Sequence, residues 1–347
     1  MKTVRVAVIG AGHMGRLHAR FYGAIPDAEL VAIVDKDPAR AKALAKEHGG
    51  RVESDVSAVI GQVDAVSVAV PTVDHAVVAE PLIRAGVPTL IEKPLAGTVE
   101  EARRLATLAR EQGVLVHVGH TERFNPVVKA ISAMNVEPKF IEVQRVSPFR
   151  FRSADIGAVM DIMIHDIDVL LHLVGDRVAR VEAVGVSVLG PHEDVANARI
   201  TFEGGCVANL TASRLALKTE RRIRVFSREA YISVDYQKKT GIAVKKAQNL
   251  DILKLARERN AEDLSQLRGV DFGSMMHVEP LVVSDTDPLR AELESFLAAV
   301  RGDAVTGGAT AEDGVAAVEL AQTIVARIAE HNWDGIAGNN EFLMTNS

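Results

Sequence analysis

The sequence predicts an α/β protein in two parts: an N-terminal domain with a parallel sheet wound by helices, then an α+β domain on an antiparallel or mixed sheet. Three observations carry this. Short continuous apolar runs alternate with helical stretches over the first 120 residues. A Gly-x-Gly-x-x-Gly turn follows the first of those runs directly. Beyond residue 120, strand-like segments follow one another with little helix between them until about residue 289. Alternation of strand and helix means βαβ units with right-handed crossovers; a run of strands means a separate, largely antiparallel sheet.

In order, Val4–Ile9 is apolar throughout, as a strand buried on both faces should be. A helix is expected over 13–24, a strand over 30–34, and a helix opened by Asp37-Pro38, with proline at a favourable first position. Strands over 65–70, 87–91 and 114–118 follow, with an amphipathic helix over 98–112 closed by Gly113. The expected strands of the second part are 140–146, 181–188, 196–202, 206–213, 223–227 and 231–236, with a hairpin turn at Glu203-Gly204-Gly205. Helices return at about 289–301 and 311–331. These readings divide the chain into residues 1–122, 123–334 and a loose Gly/Asn-rich tail, 335–347.

Composition removes several function classes. Forty Lys and Arg against 46 Asp and Glu leave a net charge of −6, and aromatics are 4%. Such a chain lacks the basic footprint and the stacking residues of a nucleic-acid binder. Cys206 is the single cysteine, which excludes an intrachain disulfide framework and any multi-cysteine metal site and fits a reducing compartment. The run at residues 6–9 is too short for a signal peptide, and no segment approaches a membrane span. A cytoplasmic protein without nucleic-acid or membrane partners is expected.

The turn Gly10-Ala11-Gly12-His13-Met14-Gly15 opens a helix. In a dinucleotide fingerprint Gly10 makes the tight turn, Gly12 admits a pyrophosphate, and Gly15 lets helix pack on strand. The helix N-terminus adds unpaired N–H groups and a positive dipole end. Asp35 ends the second strand, twenty residues after Gly15, where a carboxylate accepts hydrogen bonds from the adenosine ribose. Asp35 would repel a 2′-phosphate and so favours NAD over NADP, although Lys36 could partly offset that repulsion.

Glu92-Lys93-Pro94 ends a buried strand. Strand C-termini of an open parallel sheet line the ligand crevice, so Lys93 points a cation at the place where nicotinamide and substrate meet; a solvated surface lysine is the plainer alternative. Pro94 fixes the backbone there and admits a cis bond. His120 and Arg123-Phe124-Asn125-Pro126 follow another strand end and are candidates for the same crevice. Asn125-Pro126 also reads as a helix cap.

Residues 158–174, AVMDIMIHDIDVLLHLV, form a mostly apolar helix with Asp161, His165, Asp166, Asp168 and His172 in it. Four of these recur at i, i+4, i+7 and i+11, on one face. A polar stripe on a buried helix is costly unless it meets partners, water or a ligand, and the simplest resolution is a cleft. A structural network is the competing reading. Asp161 and His165 could also share a metal, but no companion signature accompanies them, and no resident metal is expected. Arg145, Arg150 and Arg152, and Lys218, Arg221, Arg222 and Arg224, read by default as solvated strand faces; an anionic substrate would give them a function.

Taken together, the fingerprint, the acid after the second strand, the EKP triplet and the Asp-x-x-x-His helix in a sheet-rich second half resemble the Gfo/Idh/MocA family of nicotinamide-dependent oxidoreductases. The resemblance covers most of the chain. It implies a Rossmann domain followed by a C-terminal domain on an open, mostly antiparallel sheet that often forms the oligomer interface, so a homodimer or homotetramer is expected. It implies that Lys93 and His165 are catalytic, with Asp161 one helical turn earlier, and that Pro71, Thr72 and His75 lie along the cofactor with Glu92 and Lys93. The segments at 119–126, 152–157 and 164–168 look closest to sugar-nucleotide dehydrogenases, which adds Arg152 to His120, Arg123 and Asn125 as candidate substrate contacts.

The expected reaction is NAD-dependent oxidation of a sugar secondary alcohol, the 3-hydroxyl of UDP-N-acetylglucosamine or of a related sugar nucleotide. His165 takes the proton, Lys93 stabilises developing alkoxide charge, and the roles of these two are open to exchange. A dehydrogenase of a free sugar or of a cyclitol such as myo-inositol is the alternative within enzymes. A non-catalytic dinucleotide-binding regulator is the alternative outside them.

Overall fold

The computed structural model describes residues 3–149, 156–246, 276–304 and 307–331. Sheet A contains β1 (Val4–Ile9), β2 (Ala28–Val34), β3 (Arg51–Glu53), β4 (Ala65–Val68), β5 (Thr89–Glu92) and β6 (Val116–Gly119), all parallel. Its order, 3-2-1-4-5-6, is that of a Rossmann domain. β4, β5 and β6 are buried at every position, which is why they read as continuous apolar runs. Chain order reverses at β1: β2 lies on one side and β4 on the other. The crevice outside the strand ends at that switch point is where such sheets bind ligands.

The linking helices are α1 (His13–Tyr22), α2 (Pro38–His48), α3 (His75–Arg84) and α4 (Val99–Gln112). Asp37 caps α2 and Thr98 caps α4 through their side chains, and Gly113 ends α4 in the left-handed conformation. The segment expected as a cofactor loop after Pro71 is a 3₁₀ turn, Thr72–Asp74, that runs into α3. Pro81 inside that helix hides it from a propensity reading.

Sheet B holds β7 (Phe140–Val146), β8 (Val178–Val186), β9 (Val195–Phe202), β10 (Val207–Ser213), β11 (Glu220–Phe226), β12 (Ala230–Asp235), β13 (Thr240–Lys246) and β14 (Met276–Pro280). Its order is 14-13-12-11-7-10-9-8, antiparallel except for the β7/β10 pair. Burial alternates strictly along β10 and β12, so one face meets the core and the other does not. The inner face packs in one apolar cluster with α5 (Pro126–Ala133), α6 (Ile164–Val174) and α8 (Ala311–Glu330), and that cluster continues into sheet A through Ile91, Leu95 and Val118.

A single cut after residue 122 does not divide this chain. α7 (Pro288–Arg301) places Leu289, Leu293, Phe296 and Leu297 in the same cluster as Val4, Val6 and Tyr22 of the first domain. β15 (Ala309–Thr310) then adds an antiparallel edge to β6. The residues assigned by sequence to one contiguous second domain therefore return to the first sheet, because the apolar face of α7 finds its complement beside α1. The expected tail, 335–347, lies outside the described residues. Among the described residues no helix is long and apolar enough to cross a membrane.

Candidate active site

A cleft of about 1760 Å³ runs from the end of β1, past β4 and β5, to the inner face of sheet B. At its first end lies the Gly10–Gly15 turn. Gly10 has φ +100°, and a Cβ there would sit 2.5 Å from Ala69 O. A Cβ at Gly12 would meet nothing within 4 Å, so the space beside it is open to the cleft. Gly12 also caps α1 without any side-chain hydrogen bond, which leaves that helix terminus for an anion. His13 and Met14 line the cleft, whereas Gly15 lies beneath it and serves packing. A dinucleotide pyrophosphate fits this cradle.

Asp35 lines the same end. Its Oδ2 accepts from Ala11 N at 2.6 Å and its Oδ1 from Asp37 N at 2.8 Å. The carboxylate thus holds the fingerprint turn and keeps acceptor capacity for ribose hydroxyls. Lys36, which could have offset its repulsion of a 2′-phosphate, pairs with Asp74 at 3.2 Å, and Arg40 pairs with Asp37 at 3.3 Å. Asp35→Ser should raise the NAD⁺ Kd about 10- to 100-fold, as loss of a charge-assisted hydrogen bond does. The NADP⁺ Kd should rise less, and the ratio of the two, measured by fluorescence titration, checks it.

Pro71, Thr72, His75, Glu92 and Lys93 line the middle of the cleft. His75 is buried, with Nδ1 2.8 Å from Pro94 O and Nε2 3.1 Å from Val70 O. Burial lowers its pKa, so one N–H straps the loop after β4 to the EKP turn, in which the Lys93–Pro94 bond is cis. Glu92 is buried and its Oε1 is 2.9 Å from His18 Nε2. Burial works against this carboxylate, yet the hydrogen bond with His18 and the charge of Lys93 hold its pKa below the usual range.

The π turn Val159–Met163 precedes α6, and Lys93 Nζ donates to the main-chain oxygen of Asp161 in that turn at 2.8 Å. Asp161 and His165 line the cleft at the same point. His165 is half-buried, and its Nδ1 has no hydrogen-bond partner among the described residues. Burial, then the positive charges of Lys93 and Arg145, push its pKa well below the ordinary histidine value. The imidazole is therefore neutral near pH 7 and able to accept a proton.

The rest of the expected stripe does not share the cleft. Asp168 is buried, gripped by Arg123 Nε at 2.9 Å and Nη2 at 2.7 Å, and His172 is exposed. Eleven residues of helix span about 16 Å, and the cleft takes only the first turn. His120 and Arg123, expected at the crevice, do not line the cleft either. The 3₁₀ turn Thr121–Phe124 turns them inward and presents Thr121, Glu122 and Asn125 instead. His120 lies 3.8 Å from Asp168, and burial lowers its pKa; Arg123 also reaches Asp313 at 3.2 Å. Arg123→Leu should destabilise the fold by about 3–5 kcal/mol, because Asp168 would be left buried and unpaired. Urea unfolding measures this.

Asn125 keeps both expected roles. It lines the cleft, accepts from Val127 N at 3.2 Å as cap of α5, and donates to Glu122 Oε2 at 2.9 Å. Arg152, with Arg150, lies outside the described residues.

Three arginines of sheet B and the turn after β10 line the far wall: Arg145 and Arg221, expected by default on solvated faces and functional only toward an anionic substrate, and Arg214, which the sequence does not single out. Arg145 and Arg214 are buried in ion pairs with Asp166 and Asp194, and Arg221 is 43% exposed. A signal for two was present: Arg145 shares the inward alternation of Ile141 and Val143, and Arg221 that of Ile223 and Val225. Arg222 and Arg224 alternate outward and pair with Glu220 and Glu142, and Lys218 is exposed.

Comparison with known proteins agrees with this geometry. The family model described as the oxidoreductase family, NAD-binding Rossmann fold, matches residues 4–120, and the GFO/IDH/MocA C-terminal domain matches 132–233. UDP-N-acetylglucosamine 3-dehydrogenase of Acidithiobacillus ferrooxidans is 37% identical over 301 residues, 86% of this chain and 90% of that protein. A solved structure of that enzyme superposes with a TM-score of 0.84 at 33% identity, covering 95% of this chain and 99% of the other. Inositol 2-dehydrogenase of Rhizobium meliloti is 26% identical over 96% of this chain and its own whole length. The chain belongs to the GFO/IDH/MocA family, carries an NAD-binding Rossmann domain and is an NAD(P)-dependent oxidoreductase acting on CH–OH groups.

Proposed function

We propose that this enzyme oxidises the 3-hydroxyl of UDP-N-acetylglucosamine, or of a closely related sugar nucleotide, to the ketone. The observation that carries the reading is the meeting of Lys93 Nζ with the turn that bears Asp161 and His165, between the dinucleotide cradle and a wall that includes Arg221. The relative at 37% identity has that activity by name, and the partly exposed guanidinium of Arg221 in the wall, 3.6 Å from Glu122, suits a charged substrate.

NAD⁺, when bound, supplies the hydride acceptor. His165 takes the hydroxyl proton at Nε2, the ring nitrogen opposite its enclosed Nδ1. Lys93, anchored by the Asp161 carbonyl, donates a hydrogen bond to the same oxygen and offsets its developing negative charge. The Asp161 carboxylate holds a neighbouring hydroxyl or steers the imidazole. The C–H electrons leave as hydride while the O–H proton stays on the protein, so the carbonyl forms without net charge left on the sugar.

The same reading places the protein in the cytoplasm, on its single cysteine, and assembles it as a homodimer or homotetramer through the outer face of sheet B. That face carries a row of half-buried rings, Phe140 5.5 Å from Phe226 and Phe226 4.9 Å from Tyr231.

Growth of reduced-nicotinamide absorbance with NAD⁺ and UDP-N-acetylglucosamine tests the substrate. Growth with myo-inositol or free N-acetylglucosamine instead would overturn it.

A further inference from the structure

The residue after His165 turns away from the cleft into a buried ion network. Arg145 grips Asp166 with two parallel bonds, Nε to Oδ2 and Nη2 to Oδ1, each 2.7 Å. Its Nη1 donates to Glu122 Oε1 at 2.9 Å, and Asn125 Nδ2 takes the other Glu122 oxygen at 2.9 Å. Arg145 is 4% exposed and Asp166 2%. The Tyr236 ring lies 5.5 Å from the guanidinium. One side chain on β7 therefore ties together the helix that bears His165 and the turn that leaves sheet A.

We propose that Arg145 is a positioning residue for His165: through Asp166 it fixes the turn of α6 that carries the imidazole, and it sets a permanent positive charge near the ring. A planar fork on a carboxylate fixes rotation as well as distance, which a point charge does not. Glu122 extends the hold to the strand-end region that also presents Lys93, so the two reacting groups share one frame. The inference rests on His165 as the proton acceptor.

The groups acting on the His165 ring are Lys93 and His120 from the side of sheet A, and Arg145 and Arg221 from sheet B. Asp161 stands one turn earlier on its own helix. Burial works to raise the Asp166 carboxyl, but two short bonds from a guanidinium that does not deprotonate favour the carboxylate. Removing Arg145 takes away one of the charges that hold the imidazole neutral and leaves Asp166 without its guanidinium, while Glu122 keeps Arg221 at 3.6 Å and Asn125, so His165 must become easier to protonate.

The experiment is a titration of the His165 imidazole by NMR in the full chain without substrate, beside kcat and KM for the wild type, Arg145→Met, Arg145→Lys and Asp166→Asn. In Arg145→Met the titration moves up toward the ordinary histidine range, and the acid limb of kcat/KM moves with it. In Arg145→Lys and Asp166→Asn the titration stays low, while kcat falls by up to about 10²-fold from misplacement. NAD⁺ affinity holds in all three. An unmoved titration in folded Arg145→Met, or wild-type kcat in both other variants, overturns the proposal. The reading of His165 as base fails separately, if His165→Asn keeps the wild-type rate.

Discussion

Lys93→Met should lower kcat/KM by roughly 10²- to 10³-fold, the usual cost of removing one donor to a developing oxyanion. Methionine keeps the length and the apolar stem and removes only the charge and the hydrogen bond to Asp161 O. Binding of NAD⁺ rests mainly on the fingerprint turn and Asp35, so its Kd should change little. The loss therefore belongs in kcat rather than in cofactor affinity. The pH profile should move as well. Lys93 is one of the charges that depress the His165 pKa. The base must be neutral to act, so wild-type kcat/KM should stay flat through the range where an ordinary histidine protonates. Without Lys93 the pKa rises, and the acid limb should enter that range from below. Stopped-flow rates across pH would read both effects.

Gly15→Ala should cost about 3 kcal/mol or more, at or above the top of the range for overpacking, and should abolish NAD⁺ binding. A Cβ at Gly15 would lie 1.7 Å from Gly10 O and 2.9 Å from Gly10 C. Both are main-chain atoms, so no rotamer change can relieve the contact. Either α1 leaves β1 or the Gly10 turn opens, and each destroys the cradle. Gly12→Ala is the contrasting case. Its Cβ meets no protein atom within 4 Å, so the unfolding midpoint should stay at the wild-type value while NAD⁺ affinity falls. Paired calorimetry of melting and binding separates the two glycines.

These two experiments fall on features whose spacing is written in the sequence. A turn, a helix start and an acid twenty residues on depend on local backbone geometry, and EKP depends on a strand end. The first turn of the polar helix was equally legible. What lay beyond it was not, because a helical repeat says which residues share a face and not how far the neighbouring cavity extends. Asp168 met Arg123 instead of the cleft. His120 and Arg123 were misplaced by one 3₁₀ turn, a deviation too short to leave a periodic trace. Arg145 and Arg221 were hidden differently: their inward register could be read, but charges at inward positions of a strand look like errors of register until the partners Asp166 and Glu122 are seen. β15 has two residues and β3 three, which is below any pattern. The return of α7 to sheet A is a matter of which apolar face meets which, and that is tertiary.

That return bears on how the chain can be taken apart. A fragment ending near residue 122 would keep the whole fingerprint and six of the seven strands of sheet A. It would also lay bare the surface around Val4, Val6 and Tyr22 that Leu293 and Phe296 cover. The nucleotide half is not a module that could be excised or grafted alone: expressed by itself it should collect in aggregates, and supplying residues 288–331 on a second chain should return it to solution.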